Sequence, residues 1–172
     1  DYRVMSGSIF LGETNLLVLK PEERAQAGIF LSFQEPPEVG GVSMSTFLHT
    51  IEYEAQPHMG EEVVSLLQKL GLEQSFLARF LNEGFSGGEK KKSELLQFLA
   101  RRPKIAILDE IDSGLDLDSL HVVSDHLGHA AQEGTGILVI SHSPRLFSLL
   151  SPQHVHVMMN GRVVFSGGRE IL

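Results

Sequence analysis

Asp109 and Glu110 stand side by side after the apolar run Ile105-Ala106-Ile107-Leu108. A short, uniformly apolar run reads as a buried strand, and open α/β sheets place ligands at the carboxyl ends of their strands. A carboxylate there can hold Mg²⁺ directly or through water, because this hard cation prefers oxygen ligands. A second carboxylate beside it can polarise an attacking water. Two acids after a strand can equally cap the next helix, so the pair alone leaves both readings open. Upstream, Ser86-Gly87-Gly88 precedes a helical pattern. Glycines let backbone approach an anion, and a helix N-terminus offers free N–H donors and partial positive charge. A plain glycine-rich cap would look the same.

Gln34 and His142 also follow apolar runs, Gly28–Phe33 and Ile137–Ile140. The Gln34 amide could ligate Mg²⁺ or orient water, and the His142 imidazole could donate to a terminal phosphate. Each alone is an ordinary loop residue. Polar groups at three strand ends plus a glycine turn together point to a nucleotide phosphate site. The loop that usually holds those phosphates, G-x-x-x-x-G-K-[ST], occurs nowhere in the 172 residues.

The elements that must position these groups alternate. Pro21 to Ala25 reads as a first helical turn, and Gly28–Phe33 as a strand that stops at Gln34 before a stiff loop, Glu35–Gly41. Residues 43–80 read as a helical block without strand signal: Ser43 caps a helix carrying Phe47, Leu48 and Ile51, Glu61–Leu70 is a second, and Leu72–Phe80 a short third. Helices are predicted over 89–100, 117–132 and 144–150, and strands over 105–108, 137–140, 155–159 and 162–165. Asn160-Gly161 joins the last two as a hairpin. Strand–helix alternation with apolar strands predicts an α/β fold with a mainly parallel sheet.

The chain is 42% apolar and 21% charged, so a packed core is expected. Its net charge of −8 argues against nucleic-acid or anionic-membrane binding, and the absence of cysteine excludes disulfides and thiolate metal sites. No apolar run reaches the ~20 residues of a membrane helix, so a cytoplasmic location without membrane insertion is the default. Lys90-Lys91-Lys92 reads as a solvated helix face. His121, His126 and His129 share a predicted helix without an obvious further ligand and also read as a solvated face, and His154 and His156 read as structural.

FSGGE at 85–89 resembles the signature motif of the ABC-type ATPases, and IAILDE at 105–110 their Walker B strand. Ser113-Gly114-Leu115-Asp116 resembles the D-loop, Gln34 the Q-loop glutamine and His142 the switch histidine. Order and spacing match across essentially the whole chain. FSGGEKKKSELLQ has Glu-Lys-Lys where transporter ATPases usually have Gln-Arg. That run, LDEIDSGLDLDSL, PEERAQAGIFLSFQEPPEVGGVS and HVHVMMNGRVVFSG resemble the SufC branch, the ATPases of the SUF iron–sulfur cluster assembly system. Ser93 and Ser143-Pro144 depart from that branch.

The resemblance implies a P-loop NTPase-type ABC ATPase domain. It has a helical subdomain, about 43–100, inserted in an α/β core of 1–42 and 101–172, and is N-terminally truncated ahead of the part matching Asp1–Val4. Loss of a P-loop strand should leave strand edges and apolar surface uncovered. The resemblance further implies ATP and Mg²⁺ as ligands. Asp109 would hold Mg²⁺ through water, and Glu110 would act as general base. Gln34 would contact Mg²⁺ and the attacking water, and His142 the γ-phosphate. Ser86, Gly87 and Gly88 would bind the nucleotide of an opposing subunit in a homodimer around ATP, with Asp116 at the dimer interface. The implied partner is a SufB/SufD-type scaffold facing the Gln34–Gly41 loop and the helical block. An ABC transporter subunit and a non-catalytic interaction module are the alternatives.

Overall fold

The computed structural model describes residues 4–52 and 60–171. The predicted parallel sheet is present as three strands: β3 (Ile29–Ser32), β6 (Ile105–Asp109) and β7 (Gly136–Ile140), in the order β3-β6-β7. Their register places Ser32, Leu108 and Val139 in one row, and Leu31, Ile107 and Leu138 in the next. Because side chains alternate across a sheet, these rows face opposite ways.

The first face is the core face. Ala106 and Leu108 are fully buried there, and Phe30 packs edge-to-face on Phe98 with ring centroids 5.8 Å apart. The helices α4 (Gly87–Arg101) and α5 (Leu117–Gln132) add Leu95, Leu96, Val123 and Leu127 to the same core. On the second face Leu31, Leu138 and Ile140 are 45%, 52% and 50% exposed, so the apolar surface there is uncovered among the described residues.

The remaining strands form antiparallel pairs. β1 (Phe10–Leu11) pairs with β2 (Thr14–Asn15), and α1 (Pro21–Gln26) follows them. β8 (Val155–Met159) pairs with β9 (Arg162–Gly167) through Asn160 and Gly161, both at positive φ as a type I′ turn requires. α6 (Pro144–Leu150) packs on α5.

The helical block needs correction in two places. The loop predicted over Glu35–Gly41 ends early, because β4 (Val39–Ser43) pairs with β5 (Phe80–Leu81). A two-residue strand carries no readable alternation, and its partner contains Gly40 and Gly41, so neither signalled pairing. The short helix expected over 72–80 is a 3₁₀ segment, Gln74–Ala78. α2 (Met44–Glu52) and α3 (Gly60–Lys69) stand where their apolar spacing put them. Ser43 closes β4 and also accepts the Thr46 N–H at 3.1 Å, which begins α2.

Candidate active site

Strand β3 ends at Ser32, and two residues on Gln34 turns its amide toward the end of β6. Gln34 Nε2 donates to Glu110 Oε2 at 3.3 Å. From the end of β7, His142 Nδ1 lies 3.4 Å from Glu110 Oε1, an ion pair when the ring is protonated. The Glu110 carboxylate therefore sits between groups from the two flanking strands. Its N–H donates to Ile140 O at 2.9 Å, which extends the β6–β7 ladder by one residue. Glu110 then adopts φ 49°, a left-handed conformation that a residue with a side chain rarely takes. This turns the chain out of the strand while the Glu110 carboxylate stays between Gln34 and His142. Such strain, held by its surroundings, clusters at functional sites.

Asp109 shares the uncovered sheet face with Leu31 and Leu138 by the register of β6. Among the described residues no group of three or more His, Asp or Glu side chains converges as a metal cluster. The donors available to a cation are the Asp109 and Glu110 carboxylates and the Gln34 amide. That oxygen set fits Mg²⁺, which keeps several waters and takes one or two carboxylates plus substrate phosphate.

The signature turn is built separately. Ser86 Oγ accepts the Glu89 N–H at 3.2 Å, and Glu89 Oε2 accepts the Ser86 N–H at 2.8 Å: a capping box. Arg79 pairs with Glu89, donates to Gly84 O at 3.0 Å, and lies over the Phe85 ring at 4.3 Å. The hydrogen bond from the Ser86 backbone, with those from Arg79 and Ser86 side chains, holds the Glu89 carboxyl below its ordinary range. Arg79 neutralises that carboxylate, so the turn does not repel an anion. The Ser86 hydroxyl still has its O–H to donate. Gly87 and Gly88 occupy the first turn of α4, where backbone N–H groups have no intrahelical partner.

The turn lies against the D-loop of the same chain. A Cβ on Gly88 would meet Gly114 O at 2.7 Å, and Gly114 itself has φ +72°. Asp116 caps α5, accepting the Ser119 N–H at 2.7 Å, and that bond lowers its pKa. Lys92 Nζ lies 3.9 Å from Asp116 Oδ2. Gln34, Glu110 and His142 thus come together, and Ser86, Gly87, Gly88 and Asp116 form a second group beside Gly114.

Three features escaped the sequence reading. Lys90–Lys92 is not a solvated face: Lys91 is 3% exposed, bonded to Glu94 and to two strand-end carbonyls, and Lys92 donates to Leu70 O at 2.6 Å. Only Lys90 reaches outward, to Glu38. The helix face is buried because α4 packs under the sheet. Second, Ser141 Oγ donates to Asp112 Oδ1 at 2.9 Å and ties the His142 loop to the loop after β6. Third, Arg79 braces the signature turn. The capping box was readable as S-x-x-E; the contacts of Lys91 with Phe33 and Asp109, of Lys92 with Leu70 and of Ser141 with Asp112 join residues far apart in sequence. His121 and His129 are exposed as expected, but His126 is half-buried in a cavity of about 600 Å³ between α3, α4 and α5, and burial lowers its pKa. His156 bonds Ser166 across the β8–β9 hairpin.

The three-stranded parallel sheet with polar strand ends and a helix-capping glycine turn agrees with an ABC-type ATPase domain of P-loop NTPase fold, the class to which the following likenesses assign it. The chain matches the ABC transporter family over residues 1–113 and belongs to it. It is 46% identical to vegetative protein 296 of Bacillus subtilis (strain 168), covering 99% of this chain and 68% of that protein. It is 42% identical to the probable ATP-dependent transporter slr0075 of Synechocystis sp. (strain ATCC 27184 / PCC 6803 / Kazusa), covering 99% and 71%. Among solved structures, the fold is similar to an ATP-binding subunit of an ABC transporter, with TM-score 0.80 and 22% identity over 95% of this chain and 68% of that one. It is also similar to the dimeric post-hydrolysis state of the ATP-binding cassette MJ0796 bound to ADP and Pi, with TM-score 0.76 and 17% identity over 96% and 74%. Domains of this family bind ATP with Mg²⁺ and generally hydrolyse it. Among the described residues no helix is long and apolar enough to cross a membrane.

Proposed function

We propose that this chain is part of a cytoplasmic ATPase subunit that energises iron–sulfur cluster assembly on a SufB/SufD-type scaffold. The observation that carries hydrolysis is the convergence of Gln34, Glu110 and His142 at the ends of three parallel strands. Glu110 acts as general base toward the attacking water, and Gln34, bonded to it, orients that water. His142 donates to the γ-phosphate, and Asp109 would hold Mg²⁺. The ion, when bound, neutralises phosphate charge, and the protein's own work is positioning and electrostatic stabilisation.

Ser86, Gly87 and Gly88 receive the γ-phosphate of a nucleotide held mainly by the second subunit of a homodimer, with Asp116 near the interface. One feature supports this division: the turn is capped on its own, by Ser86 and Glu89, and leaves the first-turn N–H groups of α4 at Gly87 and Gly88 for an anion. The G-x-x-x-x-G-K-[ST] loop is not in these residues. Turnover is therefore proposed of the whole protein, with a phosphate loop set beside the strand ends that carry Gln34, Glu110 and His142. The α/β core of 1–42 and 101–172 would carry hydrolysis, and the helical subdomain of about 43–100 would carry the signature turn and face the scaffold.

The assignment to cluster assembly rests on the Glu89-Lys90-Lys91 run, which the fold uses in two places: Glu89 in the cap and Lys91 in a buried pair. Co-purification of the whole protein with a soluble scaffold, and ATP-dependent cluster formation on it, tests the reading. The names of several relatives, among them a probable ATP-dependent transporter, favour a second one, the ATPase subunit of an ABC transporter. Recovery with a membrane protein instead of a soluble scaffold would decide for it. A third reading is a non-catalytic interaction module; micromolar binding of labelled ATP by this chain would remove it.

A further inference from the structure

Beneath the strand ends lies a closed polar network that no part of the hydrolytic reading uses. Lys91 and Glu94 are each 3% exposed and 3.2 Å apart on α4. Lys91 Nζ also donates to Phe33 O at 2.6 Å and to Asp109 O at 3.1 Å. Glu94 Oε1 accepts the Phe33 N–H at 2.7 Å, and Glu94 Oε2 accepts the hydroxyl of Ser32, itself fully buried, at 2.8 Å. All three ammonium protons are used, and both carboxylate oxygens are satisfied. Burial is the largest influence on the Glu94 carboxyl and pushes its pKa up, against the opposing pull of Lys91 and the hydrogen bonds.

A buried ion pair is weak evidence for stability. Apolar residues of similar volume commonly serve a core as well or better, whereas removing one partner alone is costly. The placement of this pair is what suggests a role. Phe33 and Asp109 immediately precede Gln34 and Glu110, whose side chains meet at 3.3 Å. Lys91 lies three residues after Gly88, on the same rigid helix as the signature turn.

We propose that Lys91 and Glu94 are positioning residues: they clamp the backbones of Phe33 and Asp109 to α4, so that the orientation of the signature helix sets the Gln34–Glu110 geometry. A phosphate engaged at Ser86–Gly88 then reaches the hydrolytic cluster of the same chain through one helical turn and four hydrogen bonds to strand-end groups. This rests on the hydrolytic reading above, and the test separates the two.

The whole protein is compared as wild type, Glu110→Gln and the double variant Lys91→Met/Glu94→Leu. Steady-state ATPase kinetics, thermal midpoint and backbone hydrogen exchange are recorded for each. The double variant leaves Ser32, Phe33 and Asp109 without these partners, so its thermal midpoint should fall; kinetics are compared at a temperature where it is fully folded, and there its KM should stay within about threefold. Its kcat should fall about tenfold or more, the scale on which misplaced catalytic groups act. Exchange should rise at residues 33–35 and 109–111 but not across β8–β9. Unchanged kcat, or unchanged exchange at both strand ends, overturns the clamp. A kcat loss confined to temperatures at which the variant is partly unfolded also overturns it. If the double variant does not fold, Glu94→Gln takes its place, with the same KM-against-kcat split and local exchange required. Wild-type turnover that Glu110→Gln leaves intact refutes the hydrolytic reading and this proposal's catalytic part, while the exchange pattern still reports whether the clamp exists.

Discussion

Around Ser86, backbone and side chains answer one another at short range: Glu89 closes a capping box, Arg79 neutralises it, and Phe85 stacks beneath. Around Glu110 the side-chain contacts are longer, 3.3 Å to Gln34 and 3.4 Å to an exposed His142, and the backbone itself is strained. The first half-site is braced before any ligand arrives. The second holds its groups at the right edge but leaves their final geometry to what binds between them. Apo hydrogen bonds of this length commonly tighten only in the reactive complex. In the proposed account the stretch from Phe85 to Asp116 carries a rigid receiver at one end and an adjustable hydrolytic edge at the other, joined by the Lys91–Glu94 pair.

The largest expected effect breaks the adjustable side. Glu110→Gln in the whole protein should lower ATP turnover by about 10²–10⁴ if Glu110 is the general base, with nucleotide binding retained. Steady-state kinetics beside an ATP titration measures both. Next comes the contact that seats the braced turn on Gly114. Gly88→Ala places a methyl group against Gly114 O, and overpacking of this kind costs about 1–3 kcal/mol. Denaturant unfolding should show that loss; full wild-type stability would mean that the turn and the D-loop are not in contact.

Smaller effects sharpen the braced side. Ser86→Ala removes the cap acceptor and should cost about 1 kcal/mol, seen as a lower unfolding midpoint. Glu89 gives a pH signature. Its folded pKa lies below the ordinary value of 4.5, so its stabilisation is present above pH 4.5 and is lost as pH falls through the depressed folded value. The stability advantage of wild type over Glu89→Gln should therefore be full near neutrality and fade under acid. An advantage that grew below pH 4.5 would contradict the capping assignment.

The meeting of Gln34, Glu110 and His142 was legible because each follows an apolar strand, and strand ends in a parallel sheet gather at one edge whatever the connecting helices do. Helix α5 was legible from end to end, since its apolar spacing and the Asp116 cap coincide. What stayed hidden depends on long-range packing. Lys91 and Glu94 look in sequence like an ordinary surface i,i+3 pair. Only the approach of Ser32, Phe33 and Asp109 from distant strands buries them. β5 was hidden for a different reason: two residues, Phe80 and Leu81, cannot display a period.

The central claim is that the two groups in this chain serve two different nucleotides. Complementation in the whole protein tests it most directly, using Glu110→Gln and Ser86→Arg as separate inactive parents. In a two-fold dimer each site takes one group from either subunit, so mixed dimers contain one doubly defective site and one intact site. Random mixing at equal amounts makes about half the dimers mixed, and turnover should recover to about a quarter of wild type. Turnover no higher than that of the parents alone would contradict the account.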